Sequence, residues 1–246
     1  MKILIAEDNV VSAAYLKEVL EQQDTTVDVV HDGEAAYLAA TTKFYDLIFM
    51  DFQMPLMNGI VASRKIKLEL VKQNKPSTTI IACCTSDNSH EKMAWNEIGI
   101  KEIITKPVST EIIERVINNK KTKKHPQVAA TIGKKQLYSD EKIVGMSRGN
   151  NQFVTKMIDL FVTDTPVAIE NIKTSIDNKD YQRVKAIAHR IKPSFKMMCV
   201  DSIEDDIKNI EQYCEQNNHL DKIPELFNNI KKKCDLVISE MKSRSD

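Results

Sequence analysis

The sequence lacks the features that mark several common protein classes. No apolar run in its 246 residues approaches the roughly 20 residues needed to cross a bilayer, so we expect no membrane partner. It has 6 glycines and no glycine-rich loop that would cradle a nucleotide phosphate, which disfavours nucleotide hydrolysis. Carboxylates at Glu7 and Asp8 follow the amino terminus too closely for a signal peptide, so we expect a cytoplasmic protein.

The five cysteines include no C-x-x-C pair, the spacing found in many metal-binding and redox motifs. We therefore interpret them as reduced thiols that mainly fill space in the protein interior, which is usual in the cytoplasm. The residues are Cys83, Cys84, Cys199, Cys214 and Cys234.

The net charge of zero conceals an uneven distribution along the chain. Residues 1–118 carry 12 basic and 17 acidic side chains, and residues 136–246 carry 17 basic and 18 acidic ones. Residues 119–135 hold six lysines and no acid. Such a run can bind nucleic acid, but this one is short and has no aromatic residue for base stacking. We predict two domains, 1–118 and 136–246, joined by a solvated basic linker, and no nucleic-acid partner.

Residues 1–118 alternate short apolar runs with segments of helical spacing such as Val10–Glu21 and Ile60–Val71. Unbroken apolar runs are typical of strands that are covered on both faces. The alternation predicts an α/β fold with a doubly wound parallel sheet of five strands. The predicted strands are Lys2–Ala6, Thr26–Val30, Leu47–Met50, Thr79–Cys83 and Glu102–Thr105.

Charged side chains follow three of these predicted strands. Glu7 and Asp8 follow the first strand, Asp51 the third and Lys106 the fifth. Ligands of parallel sheets bind beyond the carboxyl ends of the strands, so these side chains should meet. Three carboxylates together require a cation, and oxygen ligands without His or Cys favour Mg²⁺. A carboxylate nucleophile, a divalent cation and a lysine predict a site that accepts a phosphoryl group.

This part of the chain resembles a response-regulator receiver domain, which has a flavodoxin-like fold. The resemblance rests on Glu7-Asp8, Asp51, Met54-Pro55, Gly59, Gly99 and Lys106-Pro107. It implies that Asp51 is the phosphoacceptor, that Lys106 binds the phosphoryl group and that the peptide bond before Pro107 is cis. The Mg²⁺ ligands that it implies are Glu7, Asp8, Asp51 and the backbone carbonyl of Gln53.

Two positions depart from the pattern of that family. The family has Ser or Thr 22 residues before the lysine, where this chain has Cys84 with Thr85 next to it. Either Thr85 fills the position through a one-residue shift, or the Cys84 thiol replaces the hydroxyl. The family also has an aromatic residue three positions before the lysine, where this chain has Ile103. We therefore predict that phosphorylation shifts the face of the fourth and fifth strands less than in typical receivers.

Residues 136–246 show no convincing strand and predict an all-α domain, a four-helix up-down bundle. Thr165 followed by Pro166 is typical of a capped helix start, so we predict that one helix ends before this pair and another begins at it. The candidate helices cover about 150–163, 166–177, 180–197, 202–217 and 223–242.

The third of these helices carries a histidine among lysines. Lys185, His189, Lys192 and Lys196 are spaced by four, three and four residues, which places them on one helix face. The core stripe beside that face is predicted to be Val184, Ile187, Ala188 and Ile191. An imidazole among cations is expected to stay neutral and nucleophilic, although a histidine on such a face is more often only solvated.

The stretch Ala188–Ser194 resembles the signature of histidine phosphotransfer domains, and the resemblance extends over about residues 136–240. It implies that His189 is a second phosphoacceptor and that Lys192 assists it. Pro193 is a departure, because a proline within a helix removes a hydrogen bond and bends the helix.

Together the two resemblances imply a phosphorelay protein of two-component signal transduction. It is expected to accept and pass on phosphoryl groups rather than to turn over a substrate, although the receiver part would catalyse its own phosphorylation and dephosphorylation. The implied partners are a sensor or hybrid histidine kinase and the receiver domain of another response regulator. Two alternatives stay open. Either the bundle is a docking module controlled by Asp51, with His189 incidental, or the chain is the carboxyl-terminal part of a hybrid histidine kinase.

Overall fold

The computed structural model describes residues 1–76, 78–84, 89–121 and 151–245. The chain divides into two compact units, Met1–Ala129 and Ala130–Asp246. Within the described ranges, no helix is both long and apolar enough to cross a bilayer. Thr85 and most of the predicted linker lie outside these ranges, while linker residues 119–121 form the end of a helix.

The first unit is a five-stranded parallel sheet flanked by helices, which confirms the predicted fold. Its strands are β1 (Lys2–Ala6), β2 (Thr26–Val30), β3 (Leu47–Asp51), β4 (Thr79–Cys84) and β5 (Ile103–Thr105). Its helices are α1 (Val10–Glu21), α2 (Gly33–Thr42), α3 (Gly59–Lys72), α4 (Ser89–Glu97) and α5 (Thr110–Lys121). The predicted strand bounds agree for β1 and β2 and differ by one residue for the other three.

The order β2-β1-β3-β4-β5 places β1 and β3 side by side in the centre of the sheet. Ala6 lies opposite Met50, so the residues that follow them, Glu7 and Asp51, meet at the carboxyl edge. Lys106 follows the last residue of β5 and reaches the same edge. The topology therefore gathers charged side chains that are far apart in the sequence.

The loops that leave this edge are held by helix caps and by one close backbone approach. Asn9, Asp32 and Asn58 cap α1, α2 and α3, because each side chain accepts a hydrogen bond from a backbone amide of the first turn. A Cβ atom at Gly59 would lie 1.9 Å from the Asp51 carbonyl oxygen, so only glycine fits there. This approach holds the start of α3 against the end of β3.

The second unit contains four helices within residues 151–245, and they pack as the predicted bundle requires. They are α6 (Asn151–Asp177), α7 (Tyr181–Met197), α8 (Glu204–Gln216) and α9 (Ile223–Ser245). Short 3₁₀ turns at Asp201–Ile203 and Leu220–Lys222 lead into α8 and α9. Helix α7 packs between α6 and α8, and α9 packs against both α6 and α8.

One predicted helix boundary is wrong, because α6 continues through Thr165 and Pro166. The buried residues Phe161, Thr165 and Ala168 continue the core-facing spacing across the proline, so packing holds both halves in one helix. Pro166 itself is exposed, where water can bind the carbonyl that loses its amide partner. Pro193 lies inside α7, as the sequence predicts.

Replacing Pro166 by alanine is expected to stabilise the second unit. Alanine restores a backbone amide donor in the middle of α6, so the free energy of unfolding, measured with urea, should rise by about 1–3 kcal/mol. Pro224→Ala is the matched control, because Pro224 is the second residue of α9, where proline is tolerated. Its effect should stay below about 0.5 kcal/mol. A loss of stability in Pro166→Ala would contradict the continuous helix.

Candidate functional site

The carboxyl edge of the sheet gathers one lysine and two buried carboxylates. Lys106 Nζ lies 2.8 Å from Asp51 Oδ2 and 2.5 Å from Glu7 Oε2, and all three side chains are at most 5 % exposed. Backbone amides bind the other carboxylate oxygens. Phe52 donates to Asp51 Oδ1 at 2.7 Å, and Asn9 donates to Glu7 Oε1 at 3.2 Å. The side chains of this cluster are therefore held in position by the fold itself.

Asp8 adds a third, half-buried carboxylate to the cluster. One oxygen from each of Glu7, Asp8 and Asp51 lies within 4.8 Å of the others. Burial raises the pKa of Glu7 to about 8; Lys106 opposes the rise, and Asp51 and Asp8 add to it. Burial alone would lower the pKa of Lys106, but Asp51 and Glu7 raise it above its usual value. Lys106 supplies one positive charge beside three carboxyl groups, so a cation bound there would favour the ionised form of all three.

These ligands fit a small divalent cation. All the side-chain donors are carboxylate oxygens, which Mg²⁺ prefers, and Mg–O distances of about 2.1 Å require ligand oxygens roughly 3–4 Å apart. One oxygen from each of the three side chains lies within 4.8 Å of the others, which is close to that spacing. Gln53, whose carbonyl is the further predicted ligand, lies half-buried in the loop between β3 and α3.

The two cysteines at the end of β4 face different surroundings, since successive strand residues point to opposite sides. Cys83 lies opposite Asp51 in the sheet, and burial is the main cause that raises the pKa of its thiol. Cys84, one of the two residues considered for the hydroxyl position, lies beside Glu91 and Trp95 of α4. The thiol of Cys84, at the carboxyl end of β4, therefore contacts α4. The bond before Pro107 is cis, as predicted.

His189 lies on α7 and contacts a carboxylate of α8. Its Nδ1 is 2.8 Å from Glu211 Oε1, and Lys192 Nζ is 2.5 Å from Glu211 Oε2. The three side chains are 12–15 % exposed and so form a partly covered cluster. Burial acts to raise the pKa of Glu211, but His189 and Lys192 hold it below its usual value. An ionised Glu211 accepts a hydrogen bond from the proton on Nδ1, which leaves the lone pair of the ring on Nε2.

The surroundings of this imidazole differ from the cationic face that the sequence predicts. Glu211 and Glu215 of α8 pair with Lys192 and Lys185, the second pair at 3.1 Å. The negative charges of α8 therefore offset part of the positive charge of α7. Within the predicted core stripe, Ile187 is only half-buried, and the other three residues are buried.

Sequence reasoning missed two contributors to these sites. The apolar spacing of Ile210 and Cys214 places Glu211 at the margin of a core-facing stripe, which is a usable signal for its position. His31 follows β2, and its Nδ1 lies 2.9 Å from the backbone carbonyl of Glu7. No pattern in the sequence points to that second contact.

Comparisons with known proteins agree with the two units. Residues 3–118 match the family model described as response regulator receiver domain. Residues 156–241 match the family model described as Hpt domain. Both resemblances drawn from the sequence are thereby confirmed.

Relatives among characterised proteins cover one or both domains. The sensor protein GacS of Pseudomonas syringae is 23 % identical over 225 residues, 88 % of this chain and 25 % of the relative. The response regulator ArlR of Staphylococcus saprophyticus is 34 % identical over 110 residues, 45 % of this chain and 47 % of the relative. The chain thus spans less than half the length of these relatives. The solved receiver domain of Francisella response regulator 1452 is 31 % identical, with a TM-score of 0.42 over 50 % of this chain and 98 % of that one.

Proposed function

We propose that this chain, which combines a receiver domain with an Hpt domain, is a cytoplasmic phosphorelay protein of two-component signal transduction. Asp51 accepts a phosphoryl group in a Mg²⁺-dependent reaction, and His189 carries one for transfer to or from receiver domains. The partners are a sensor or hybrid histidine kinase and the receiver domain of another response regulator. One observation carries the proposal: each nucleophile is hydrogen-bonded in place and clustered with a lysine, Lys106 for Asp51 and Lys192 for His189.

At the first site, a carboxylate oxygen of Asp51 attacks the phosphorus atom of a phosphodonor. The new bond from oxygen to phosphorus forms as the bond from phosphorus to the leaving group breaks. The ligands that would hold Mg²⁺ are Glu7, Asp8, Asp51 and the Gln53 carbonyl. Mg²⁺ bound there would neutralise charge on the phosphoryl oxygens. Lys106 supplies a second positive charge, since it already lies 2.8 Å from Asp51 Oδ2.

At the second site, the lone pair on His189 Nε2 attacks the phosphorus of an aspartyl phosphate. The nitrogen–phosphorus bond forms as the bond from phosphorus to the aspartate breaks, so the aspartate leaves as a carboxylate and no proton has to move. The phosphorylated ring keeps its Nδ1 proton and becomes cationic, and Glu211 at 2.8 Å stabilises that charge. Lys192, three residues along the same helix, can turn from Glu211 toward the phosphoryl oxygens.

Glu211→Gln is expected to slow the phosphorylation of His189 about 10- to 100-fold. Glutamine still accepts a hydrogen bond from Nδ1 but has no charge to stabilise the cationic ring, and hydrogen bonds to charged groups contribute about 1.5–3 kcal/mol. The rate is measured as transfer from a phosphorylated receiver domain. Glu215→Gln is the matched control, because Glu215 is 66 % exposed and contacts Lys185. Its rate should change less than about twofold, and equal rates for both variants would contradict the role of Glu211.

The proposed function is tested by mapping phosphoryl groups on the protein. Incubation with a small phosphodonor and Mg²⁺ should label Asp51, and an acyl phosphate is recognised by its loss at alkaline pH. Incubation with a phosphorylated receiver domain should label His189, and a phosphoramidate is recognised by its loss at acid pH. Mass spectrometry of the peptides should place the label on these two residues. Label on neither residue would refute the phosphorelay function.

A further inference from the structure

Trp95 is the single tryptophan of the chain, and it lies fully buried on α4 near the first phosphoacceptor. Its indole packs edge-on against the ring of Phe52, with 6.0 Å between the ring centroids and an interplanar angle of 70°. Phe52 directly follows Asp51, and its backbone amide donates the 2.7 Å hydrogen bond to Asp51 Oδ1. Two contacts therefore connect α4 to the carboxylate that accepts the phosphoryl group.

Further contacts tie Trp95 to β4 and to the start of α4. The Cys84 thiol lies beside the indole and beside the Glu91 carboxyl group, and both Cys84 and Glu91 are at most 5 % exposed. Burial raises the pKa of Cys84 to about 12, with Glu91 adding to the rise, so this group stays a neutral thiol. Glu91 belongs to the first turn of α4. Trp95 is thus enclosed by groups that allow it little independent movement.

The aromatic contact to the acceptor site comes from α4 rather than from β5. Ile103, which stands where the sequence resemblance leads us to expect an aromatic residue, is half-buried at the start of β5. It has no ring whose rotation could follow the state of Asp51. The Phe52–Trp95 pair offers such rings, with Phe52 on the loop that directly follows the acceptor and Trp95 on α4.

Building on the proposed function, we infer that Trp95 is a positioning residue for Asp51. Its contact with Phe52 holds the Phe52 amide against Asp51 Oδ1. In the other direction, phosphorylation of Asp51 changes the packing of Trp95 through the same contact. A phosphorylated carboxylate is a weaker hydrogen-bond acceptor than a free one, so the Phe52 amide has to readjust. Because protein interiors are close-packed, a displaced Phe52 ring changes the packing of Trp95. Such coupling is reciprocal by thermodynamic linkage.

The single tryptophan makes this coupling measurable by fluorescence. Beryllium fluoride with Mg²⁺, which mimics the phosphorylated carboxylate, is expected to change the emission of Trp95 in the unmodified protein and to leave Asp51→Asn unchanged. In Phe52→Leu the emission change should be lost, and Asp51 should still be phosphorylated but about 3- to 10-fold more slowly, because the same pair is removed. Phe44→Leu is the matched control, because Phe44 belongs to the same unit and is 44 % exposed, and it should keep the change.

The positioning role is tested by the rate at which a small phosphodonor phosphorylates Asp51. Trp95→Leu is expected to slow this reaction about 3- to 10-fold, because the edge-to-face pair that places the amide is lost. Trp95→Phe keeps a ring and should restore most of the rate. Equal rates for the leucine and phenylalanine variants would overturn the positioning role. If Trp95→Leu does not fold, the comparison of Phe52→Leu with Phe44→Leu decides the question.

The outcomes also separate this inference from the proposed function. Complete phosphorylation of the unmodified protein, measured as added mass, without any change in Trp95 emission would overturn the inference and leave the proposed function standing. Absence of phosphorylation on Asp51 would refute the proposed function and the inference with it. A fluorescence change that depends on both Asp51 and Phe52 supports the inference.

Discussion

Asp51→Asn is expected to abolish phosphorylation of the first unit by a small phosphodonor. The asparagine amide is not a nucleophile toward phosphorus at neutral pH. Glu7 is not expected to substitute for it, because burial raises its pKa to about 8 and Asn9 and Lys106 occupy its oxygens. The loss is measured as the mass or radioactive label that a phosphoryl group adds to the protein.

Removal of divalent cations is expected to have an effect of similar size on the unmodified protein. A phosphoryl group on Asp51 carries about 1.5–2 negative charges, which Lys106 alone would have to balance beside the carboxyl groups of Glu7 and Asp8. Excess chelator should therefore reduce labelling more than about 100-fold, since the metal charge contributes several kcal/mol. Asp8→Asn should abolish labelling as well, because it removes a charge and a ligand. Undiminished labelling in the presence of chelator would contradict the metal site.

Asp24→Asn provides the control for these acidic-to-amide changes. Asp24 is exposed in the turn before β2, with a φ of 58°, a conformation that asparagine also adopts readily. Because it precedes a strand of the parallel sheet, it lies at the edge opposite to Asp51. Labelling of Asp24→Asn should equal that of the unmodified protein. A loss here would show that the effect of Asp51→Asn is not specific to the site.

The acidic edge could be predicted from the sequence because its determinants are local. Short apolar runs mark the strands, and whatever follows a strand in a parallel sheet reaches the same edge. This argument alone brings Glu7, Asp51 and Lys106 together, and in the structure they are in contact. The identity of the cation stays a prediction, because it rests on the chemistry of the ligands.

Contacts between distant elements could not be predicted in the same way. Spacing along α8 places Glu211 at the margin of an apolar stripe but does not tell which helix packs there, so its hydrogen bond with His189 could not be foreseen. Strand alternation separates Cys83 from Cys84, but only the sheet register shows which of them lies opposite the acceptor. Pro166 shows the converse, since the packing of α6 overrides a local rule for helix starts.

His189→Gln is expected to remove all label from the second unit. Glutamine is of similar size but has no nucleophilic nitrogen, and Lys192 and Glu211 are not phosphoacceptors. His219→Gln is the control, because His219 belongs to the same unit and packs on Tyr213 with 5.2 Å between ring centroids. The His219→Gln variant should keep full label on His189. Retention of the label in His189→Gln would show that another residue of the second unit accepts the phosphoryl group.

Transfer with a separate partner, rather than exchange between Asp51 and His189 of one chain, is expected to be the main route for phosphate. A closed exchange within one chain would pass no signal to a partner, and Lys185 and Lys192 are already paired with acids of α8. The test phosphorylates the His189→Gln variant and then mixes it with the Asp51→Asn variant. A tether would raise the effective concentration to about 1 mM, so at about 1 µM protein an intramolecular route would be about 1,000-fold faster than this mixture. The expectation would be wrong if transfer in the unmodified protein were about 1,000-fold faster than in the mixture and its rate did not depend on protein concentration.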